Sequence, residues 1–176
     1  MKITALRAYA LEVPATLDIT EPPRQLSHQI CVVEIDTDAG ITGHGLTTIG
    51  LARPIRTMVL SEAAPLLIDQ NPLAHEKLFD LLYWGLAPKG QTGTAMHAIS
   101  AIDIALWDIK GKYENKPVFE LLGGKKQNEV IPYASLQPVG HSFQEYKDSL
   151  VAWAEKAKGL GFKAVKSEVT LNGPYA

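Results

Sequence analysis

The 176-residue sequence predicts an α+β domain, an antiparallel meander followed by helices, that leads into the start of an alternating β/α array. Short strand-like runs around a glycine turn indicate the meander, and a long amphipathic stretch at residues 97–111 indicates the main helix. After residue 124 a strand, a helix and a second strand follow one another, an order typical of parallel strands. We therefore predict two domains, residues 1–124 and residues 125–176.

The meander comes first. Apolar and smaller or polar residues alternate loosely over residues 2–13, which predicts the first strand. Residues 14–27 contain three prolines and little periodicity, so we expect a loop there. Residues 28–36 are rich in Val and Ile and predict the second strand, which a turn at 36–40 connects to a third strand at 41–46.

Two helices are predicted after the meander. Pro54 suits the first turn of a helix, and we expect Pro65 to limit its length because proline cannot continue a helix. Asn71 is a capping residue followed by a first-turn proline, Pro72, which predicts a second helix through Tyr83.

The long helix begins near Thr94. Its apolar residues recur at the three-four spacing of a single buried face: Ala98, Ile99, Ile102, Ala105, Leu106 and Ile109. Gly111 predicts its end, and Pro117 bars its continuation. The helix also carries Asp103, Trp107 and Asp108, and we interpret both carboxylates as structural groups that bind backbone donors or nearby basic side chains.

The β/α unit follows residue 124. Residues 130–135 and 162–170 predict two strands. Between them, Ser142 and Glu145 fit a capping box, in which each side chain accepts a backbone N–H at the helix start. The apolar face expected for this helix comprises Leu150, Val151, Trp153, Ala154, Ala157 and Leu160.

Composition excludes several classes of protein. The formal charge of −2 and the pI near 6.2 predict neither a nucleic-acid partner nor binding to an anionic membrane. The single cysteine, Cys31, cannot form an internal disulfide. No signal-peptide core and no apolar run of about 18 residues occurs, so we expect a soluble cytoplasmic protein. The five histidines are dispersed and form no metal-ligand pair.

Residues 101–112, AIDIALWDIKGK, followed by residues 117–124, PVFELLGG, resemble the enolase superfamily, in particular its mandelate racemase and muconate lactonizing enzyme branch. The resemblance implies that residues 1–124 form the N-terminal capping domain and that residues 125–176 form the first strands and helix of a (β/α)-barrel. Such a barrel needs about 250 residues. We therefore expect this chain to be part of a longer enzyme.

The resemblance also implies a reaction. The family removes the proton alpha to a carboxylate and stabilises the enolate with Mg²⁺, whose ligands we expect beyond Ala176. We predict an acid-sugar dehydratase or hydroxy-acid racemase that acts on a small carboxylate such as a sugar acid, as a homo-oligomer. A muconate-type cycloisomerase, an amino-acid epimerase and a non-catalytic interaction module are the alternatives.

Two charged residues on the last predicted strand are the catalytic candidates. Lys166 and Glu168 alternate with valines and so share one face of the strand. The resemblance implies that this face points into the barrel, where the family often has Lys-x-Lys with the second lysine as the base. Here Glu168 stands at the position of that base, and Lys166 could orient a substrate carboxylate or act as a base. The alternative is an exposed Lys–Glu pair at the end of an edge strand.

Substrate-binding candidates lie in two segments of the predicted cap. The resemblance implies that the loop at 14–27 and the segment around residues 47–53 cover the barrel mouth. The candidates there are Asp18, Thr20, Arg24 and Thr47, with His28 and Thr48 beside them. A guanidinium such as that of Arg24 can hold a carboxylate by two hydrogen bonds. For each of them the alternative is a solvated loop residue.

Overall fold

The computed structural model describes residues 1–17, 23–48, 50–90 and 92–167. The chain divides into two compact units, residues 1–124 and residues 125–176.

The first unit begins with a three-stranded antiparallel sheet in the order β1-β2-β3, which confirms the predicted meander. Its strands are β1 (Ile3–Leu17), β2 (Arg24–Thr37) and β3 (Thr42–Thr47). The predicted loop at 14–27 was wrong over most of its length, because pairing of β1 with β2 continues to Leu17 and Arg24. Pro14 is tolerated since β1 is an edge strand, where a residue without an N–H need not break the ladder.

Helices follow the sheet in a short continuous run. It consists of α1 (Ala52–Met58), a π-helical turn (Val59–Ala63) and α2 (Ala64–Leu67). The prediction that Pro65 limits the helix was wrong, because the chain remains helical through Leu67. The π-helical turn ends two residues before the proline, and such widened turns are one way a helix accommodates an interrupted hydrogen-bond ladder.

Three further helices complete the first unit: α3 (His75–Leu86), α4 (Thr94–Glu114) and α5 (Val118–Leu121). Asn71 does not cap α3 directly. Its side chain instead accepts a hydrogen bond from the Leu73 N–H, in a turn that precedes the helix. A 3-10 turn (Ala87–Lys89) lies between α3 and α4.

The predicted start of α4 at Thr94 is confirmed, but Gly111 does not end it. The helix ends at Asn115, whose φ of 51° is left-handed. The Lys116 N–H bonds to the Gly111 carbonyl at 2.9 Å, and the Asn115 N–H to the Lys112 carbonyl at 3.4 Å. This is a Schellman cap, with asparagine in the place glycine usually takes.

One apolar core lies between the sheet and the helices of the first unit. All six residues predicted for the apolar face of α4 are buried in it. Their largest partners are Ile3, Val33, Ile35, Ile55, Val59, Leu67, Leu78, Leu82 and Leu86.

Strand β3 packs on α4 without intervening side chains. A methyl group added to Gly43 would overlap the carbonyl oxygen of Ala105, and one added to Gly45 would overlap that of Ala101. Glycine is therefore required at both positions for the backbones to approach this closely. The approach fixes the register of the strand on the helix.

The second unit contains β4 (Ala134–Ser135), α6 (Phe143–Gly159) and β5 (Val165–Lys166). The two strands pair in parallel, as predicted. Ser142 caps α6 by accepting the Glu145 N–H at 3.2 Å, and the Glu145 carboxylate accepts the His141 N–H at 2.8 Å. The capping box is thus present, with the donor to Glu145 one residue earlier than in the usual pattern.

The predicted apolar face of α6 is only partly buried. Trp153 and Ala157 are buried, whereas Val151 and Leu160 are exposed and Tyr146 is buried in addition. Val165, one of the valines that alternate with Lys166, is half exposed.

Candidate functional site

Lys166 is the catalytic candidate that the structure describes. It ends β5, next to Ser135 of the parallel neighbour strand. Its side chain is exposed, and its ammonium lies 5.8 Å from the centre of the Tyr133 ring. A cation at this distance from an aromatic face is attracted by the ring, so the ring of Tyr133 helps to hold the ammonium.

The structure does not describe the side chains of four other candidates. Asp18, Thr20 and Glu168 lie outside the described residues. For Arg24 the backbone alone is described, in its pairing with Leu17. The predicted roles of these four residues stay predictions.

A cavity of about 400 Å³ in the second unit lies away from Lys166 along the strands. Val130, Ile131 and Pro132 before β4 line it together with Phe162 and Lys163 before β5. It is therefore at the amino ends of the two strands. Lys166 lies at the carboxyl end of β5, which is the end where β/α barrels keep their active sites.

Thr47 is described in full. It is the last residue of β3, and its side chain is on the face of the sheet that meets α4. The Thr47 Oγ1 lies 3.4 Å from the Nδ1 of His97, in the first turns of α4. Both side chains are partly exposed. Thr48 and His28, the neighbouring candidates, are exposed and no contact joins them to this pair.

His97 was not among the predicted site residues. Its partner is 50 positions away in the sequence. The signal that could have found it is the pair of glycines at 43 and 45. Small residues two apart indicate a close neighbour on that face of the strand, and Thr47 is the next residue on the same face.

Asp108 joins α4 to β3, as predicted for a structural carboxylate. It accepts the His44 N–H at 2.8 Å and the Lys112 ammonium at 2.7 Å. The same ammonium donates to the Thr42 carbonyl at 2.7 Å. Burial raises the pKa of the Asp108 carboxyl, but the hydrogen bonds from Lys112 and His44 outweigh it, so the pKa lies below its usual value.

Asp103 occupies a different environment, facing α3. Burial raises the pKa of its carboxyl, and the nearby His75 opposes that rise. The His75 ring packs on Trp107 with 4.6 Å between ring centres. Asp103 and Trp107 thus belong to the contact between the two helices, which supports a structural role.

Beside Asp108 lies a groove of about 600 Å³ with apolar walls formed by Ile104, Trp107, Val118 and Leu122. Its charged groups, His44, Asp108 and Lys112, are bonded to one another. The groove thus consists of apolar surface and an internally paired polar network, and it is not a convergent polar site for a small carboxylate.

The described residues hold no group of three His, Cys, Asp or Glu side chains that could bind a metal ion. The position of the Mg²⁺ ligands stays a prediction. In the described part of the chain, no helix combines the length and the apolar character needed to cross a membrane.

The sheet, the helices and the parallel β/α start define a capping domain of the type found before β/α barrels. Comparison with known proteins gives the family. Residues 9–123 match the N-terminal domain of mandelate racemase and muconate lactonizing enzyme. The chain belongs to this family, which is a branch of the enolase superfamily.

The names of similar proteins refer to different reactions. The chain is 35% identical over 170 residues to a D-galactarolactone cycloisomerase from Agrobacterium fabrum, covering 96% of this chain and 44% of the relative. It is 32% identical over 166 residues to a D-galactonate dehydratase family member from Cellvibrio japonicus, covering 92% and 38%. The chain thus spans less than half the length of these relatives.

A solved structure agrees with the fold. A racemase from Streptomyces coelicolor with bound magnesium is 28% identical, with a TM-score of 0.74, over 95% of this chain and 46% of that one. The capping-domain fold predicted from the sequence is therefore confirmed.

Proposed function

We propose that the protein removes the proton alpha to the carboxylate of a sugar acid, as an acid-sugar dehydratase or a hydroxy-acid racemase. The match of residues 9–123 to the family carries this proposal. The dehydratase-family relative supports it, since its name refers to a sugar acid. Because this chain spans under half of that relative, the activity is proposed for the complete protein.

Lys166 has the chemistry such a step requires. Its ammonium can pair with the substrate carboxylate, which makes the alpha proton more acidic by stabilising the negative charge that develops. In its neutral form the same amine can accept that proton. Glu168 is proposed to pair with Lys166, since alternate residues of a strand share one face.

A cycloisomerase is the second candidate, because a D-galactarolactone cycloisomerase is 35% identical to this chain. The two candidates share proton removal next to a carbonyl group and differ in the bond that then breaks. Products formed from a sugar acid or from its lactone distinguish them.

Three further properties are proposed for the complete protein. We infer dependence on Mg²⁺, supported by the magnesium-bound racemase of similar fold. We also propose a homo-oligomer, supported by the exposed apolar side chains of Tyr9, Leu11, Val13 and Leu46 on the outer face of the sheet. A cytoplasmic location stays a prediction.

The experiment that tests the function is proton exchange. The protein expressed from its complete reading frame should exchange the alpha proton of at least one sugar acid for deuterium in heavy water, and Lys166→Ala should lower that rate by about 100-fold or more. Circular dichroism should show that the variant is folded. A variant that exchanges at the wild-type rate would remove Lys166 from the site.

Intact mass tests the non-catalytic alternative. A mass near 19.2 kDa for the natural protein, with no exchange on any sugar acid, would support an interaction module. A mass about twice as large, with exchange, would support the enzyme.

A further inference from the structure

The register between β3 and α4 continues from the two glycines to Thr47. Gly43 faces Ala105, Gly45 faces Ala101, and Thr47 faces His97. Each step is two residues along the strand and four residues back along the helix. Two strand residues span about 6.8 Å and four helical residues about 6 Å, so the two elements stay in step.

Thr47 and His97 form the third pair of this series. In this pair two side chains meet, whereas in the first two pairs a glycine lies against the backbone of the helix. Gly43 and Gly45 leave no room for adjustment, so the backbone that carries Thr47 is fixed against the backbone that carries His97. The 3.4 Å contact between Thr47 Oγ1 and His97 Nδ1 therefore forms between two rigid supports. The chain leaves the sheet immediately afterwards, at Thr48.

A threonine hydroxyl has one hydrogen to donate and two lone pairs. If the imidazole Nδ1 accepts that hydrogen, the lone pairs remain for a substrate hydroxyl. If Nδ1–H donates instead, the Thr47 O–H remains for a substrate oxygen. In both cases the histidine restricts the rotation of the hydroxyl and leaves one of its functions for a third group. Both side chains are partly exposed, so a third group has access.

We propose that His97 is a positioning residue that orients the Thr47 hydroxyl toward the hydroxylated chain of the sugar-acid substrate. The inference rests on the proposed function and on the sequence-based prediction that Thr47 contacts substrate. It adds a specificity-determining residue on α4, outside the two segments of the cap from which the other substrate contacts are proposed.

The test is a double-mutant cycle in the protein expressed from its complete reading frame. Thr47→Val should raise the KM for the sugar acid about fivefold and leave kcat within about twofold, as loss of one hydrogen bond made in both ground and transition state predicts. His97→Ala should raise KM about threefold. The double variant should match Thr47→Val alone, because His97 acts through Thr47.

His97→Asn is the conservative variant, since an asparagine amide can reach the place of Nδ1. It should restore a KM near the wild-type value. Thr57→Val and His141→Ala are the controls, and both should leave KM unchanged. Thr57 is exposed and bonds the Arg53 carbonyl within α1, and the exposed His141 precedes α6.

A spectroscopic measurement tests the contact without substrate. In protein with ¹⁵N-labelled histidine, Thr47→Val should shift the Nδ1 resonance of His97 and leave that of His141 in place. An unchanged His97 resonance would overturn the inference, and this result does not depend on whether the alanine variant folds.

The outcomes separate the two proposals. If Thr47→Val raises KM and His97→Ala does not, the positioning role is overturned and the proposed function stands. If the two effects add in the double variant, His97 does not act through Thr47 and the inference is likewise overturned. If the wild-type protein turns over no sugar acid, the proposed function fails, and the inference with it.

Discussion

The two units of the chain differ in how completely they bury their apolar side chains. Residues 1–124 surround a core in which the inner face of the sheet meets the helices α1 to α4. In the described part of residues 125–176, the buried apolar side chains are Leu136, Tyr146, Trp153 and Ala157. In the same unit Val130 is 80% exposed, Ile131 76% and Leu160 65%.

Strand pairing accounts for the difference. The sheet of the first unit is antiparallel and needs cover on one face, which α4 provides. The second unit pairs two residues of β4 with two of β5 in parallel, and parallel sheets are stable when both faces are covered. The residues that identify the family therefore lie in the unit with the complete core. The described catalytic candidate, Lys166, lies in the other.

The largest effect is expected from glycine substitutions that test each unit. Gly45→Ala places a methyl group against the backbone of α4, which cannot move without unpacking the core, so it should lower the free energy of unfolding by about 3 kcal/mol or more. Gly159→Ala in α6 meets nothing within 4 Å and should raise helix stability by about 0.5 kcal/mol. Urea unfolding followed by tryptophan fluorescence measures both.

Gly45→Ala should lower the free energy of unfolding and Gly159→Ala should raise it, so the two substitutions distinguish the two units. Equal effects of Gly45→Ala and Gly159→Ala would show that β3 and α4 do not pack as closely in solution. In Gly45→Ala, amide hydrogen exchange should become faster within residues 1–124, because the stability is lost in that unit.

A smaller effect is expected from Asp108→Asn, about 1.5 kcal/mol at pH 7, since the change weakens hydrogen bonds to an ionised group. The folded-state pKa of Asp108 lies below its unfolded value of about 3.9. Its contribution is therefore fully present above that value and is lost as the pH falls through the folded pKa. The stabilities of wild type and variant should therefore converge as the pH falls through the folded-state pKa.

The matched control for this pH series is Asp148→Asn on α6, an exposed carboxylate that accepts a hydrogen bond from the Gln144 side chain one turn earlier. It should change stability by less than about 0.5 kcal/mol at every pH. A constant difference between wild type and Asp108→Asn across the acid range would contradict the proposed link between α4 and β3.

The smallest effect is expected in the second unit. Ser142→Ala removes the cap of α6 and should cost about 0.5–1 kcal/mol. The loss should appear as faster amide exchange in residues 143–146, with exchange in α4 unchanged. Ser142→Asn keeps a capping oxygen and should behave like wild type. Faster exchange in α4 as well would show that the units unfold together.

Local patterns in the sequence predicted the order of the elements correctly. The three-four spacing of apolar residues along α4 predicted that these side chains share one buried face, and each of them is buried. The wrong predictions concern residue types that are found in two different structural positions. Gly111 ends many helices, yet here it lies inside α4 and accepts the bond that closes the Schellman cap at Asn115.

Pro14 shows the same limit in a strand. Prolines predicted a loop because proline lacks an N–H, but an edge strand has one side on which no partner needs that N–H. The sequence does not reveal which strand is at an edge. That depends on the pairing of the whole sheet.

The candidate site was less predictable than the fold. Lys166 and Thr47 came from strand alternation and from the family resemblance, both of which are visible in the chain. His97 depends on a contact across 50 residues. Such a contact forms only once β3 packs on α4. The glycines at 43 and 45 indicate a close neighbour of β3 but do not identify which residue it is.

The glycines of β3 also define where this domain can be re-engineered. Gly43 and Gly45 accept no side chain, so a library that randomises either position will consist largely of unfolded proteins. The steric restriction is absent at Gly50, after the strand, where an added Cβ meets nothing within 4 Å. The φ of 79° at Gly50 still favours glycine. If the proposed function holds, diversification for new substrate preferences should therefore begin at Thr47 and leave the strand before it unchanged.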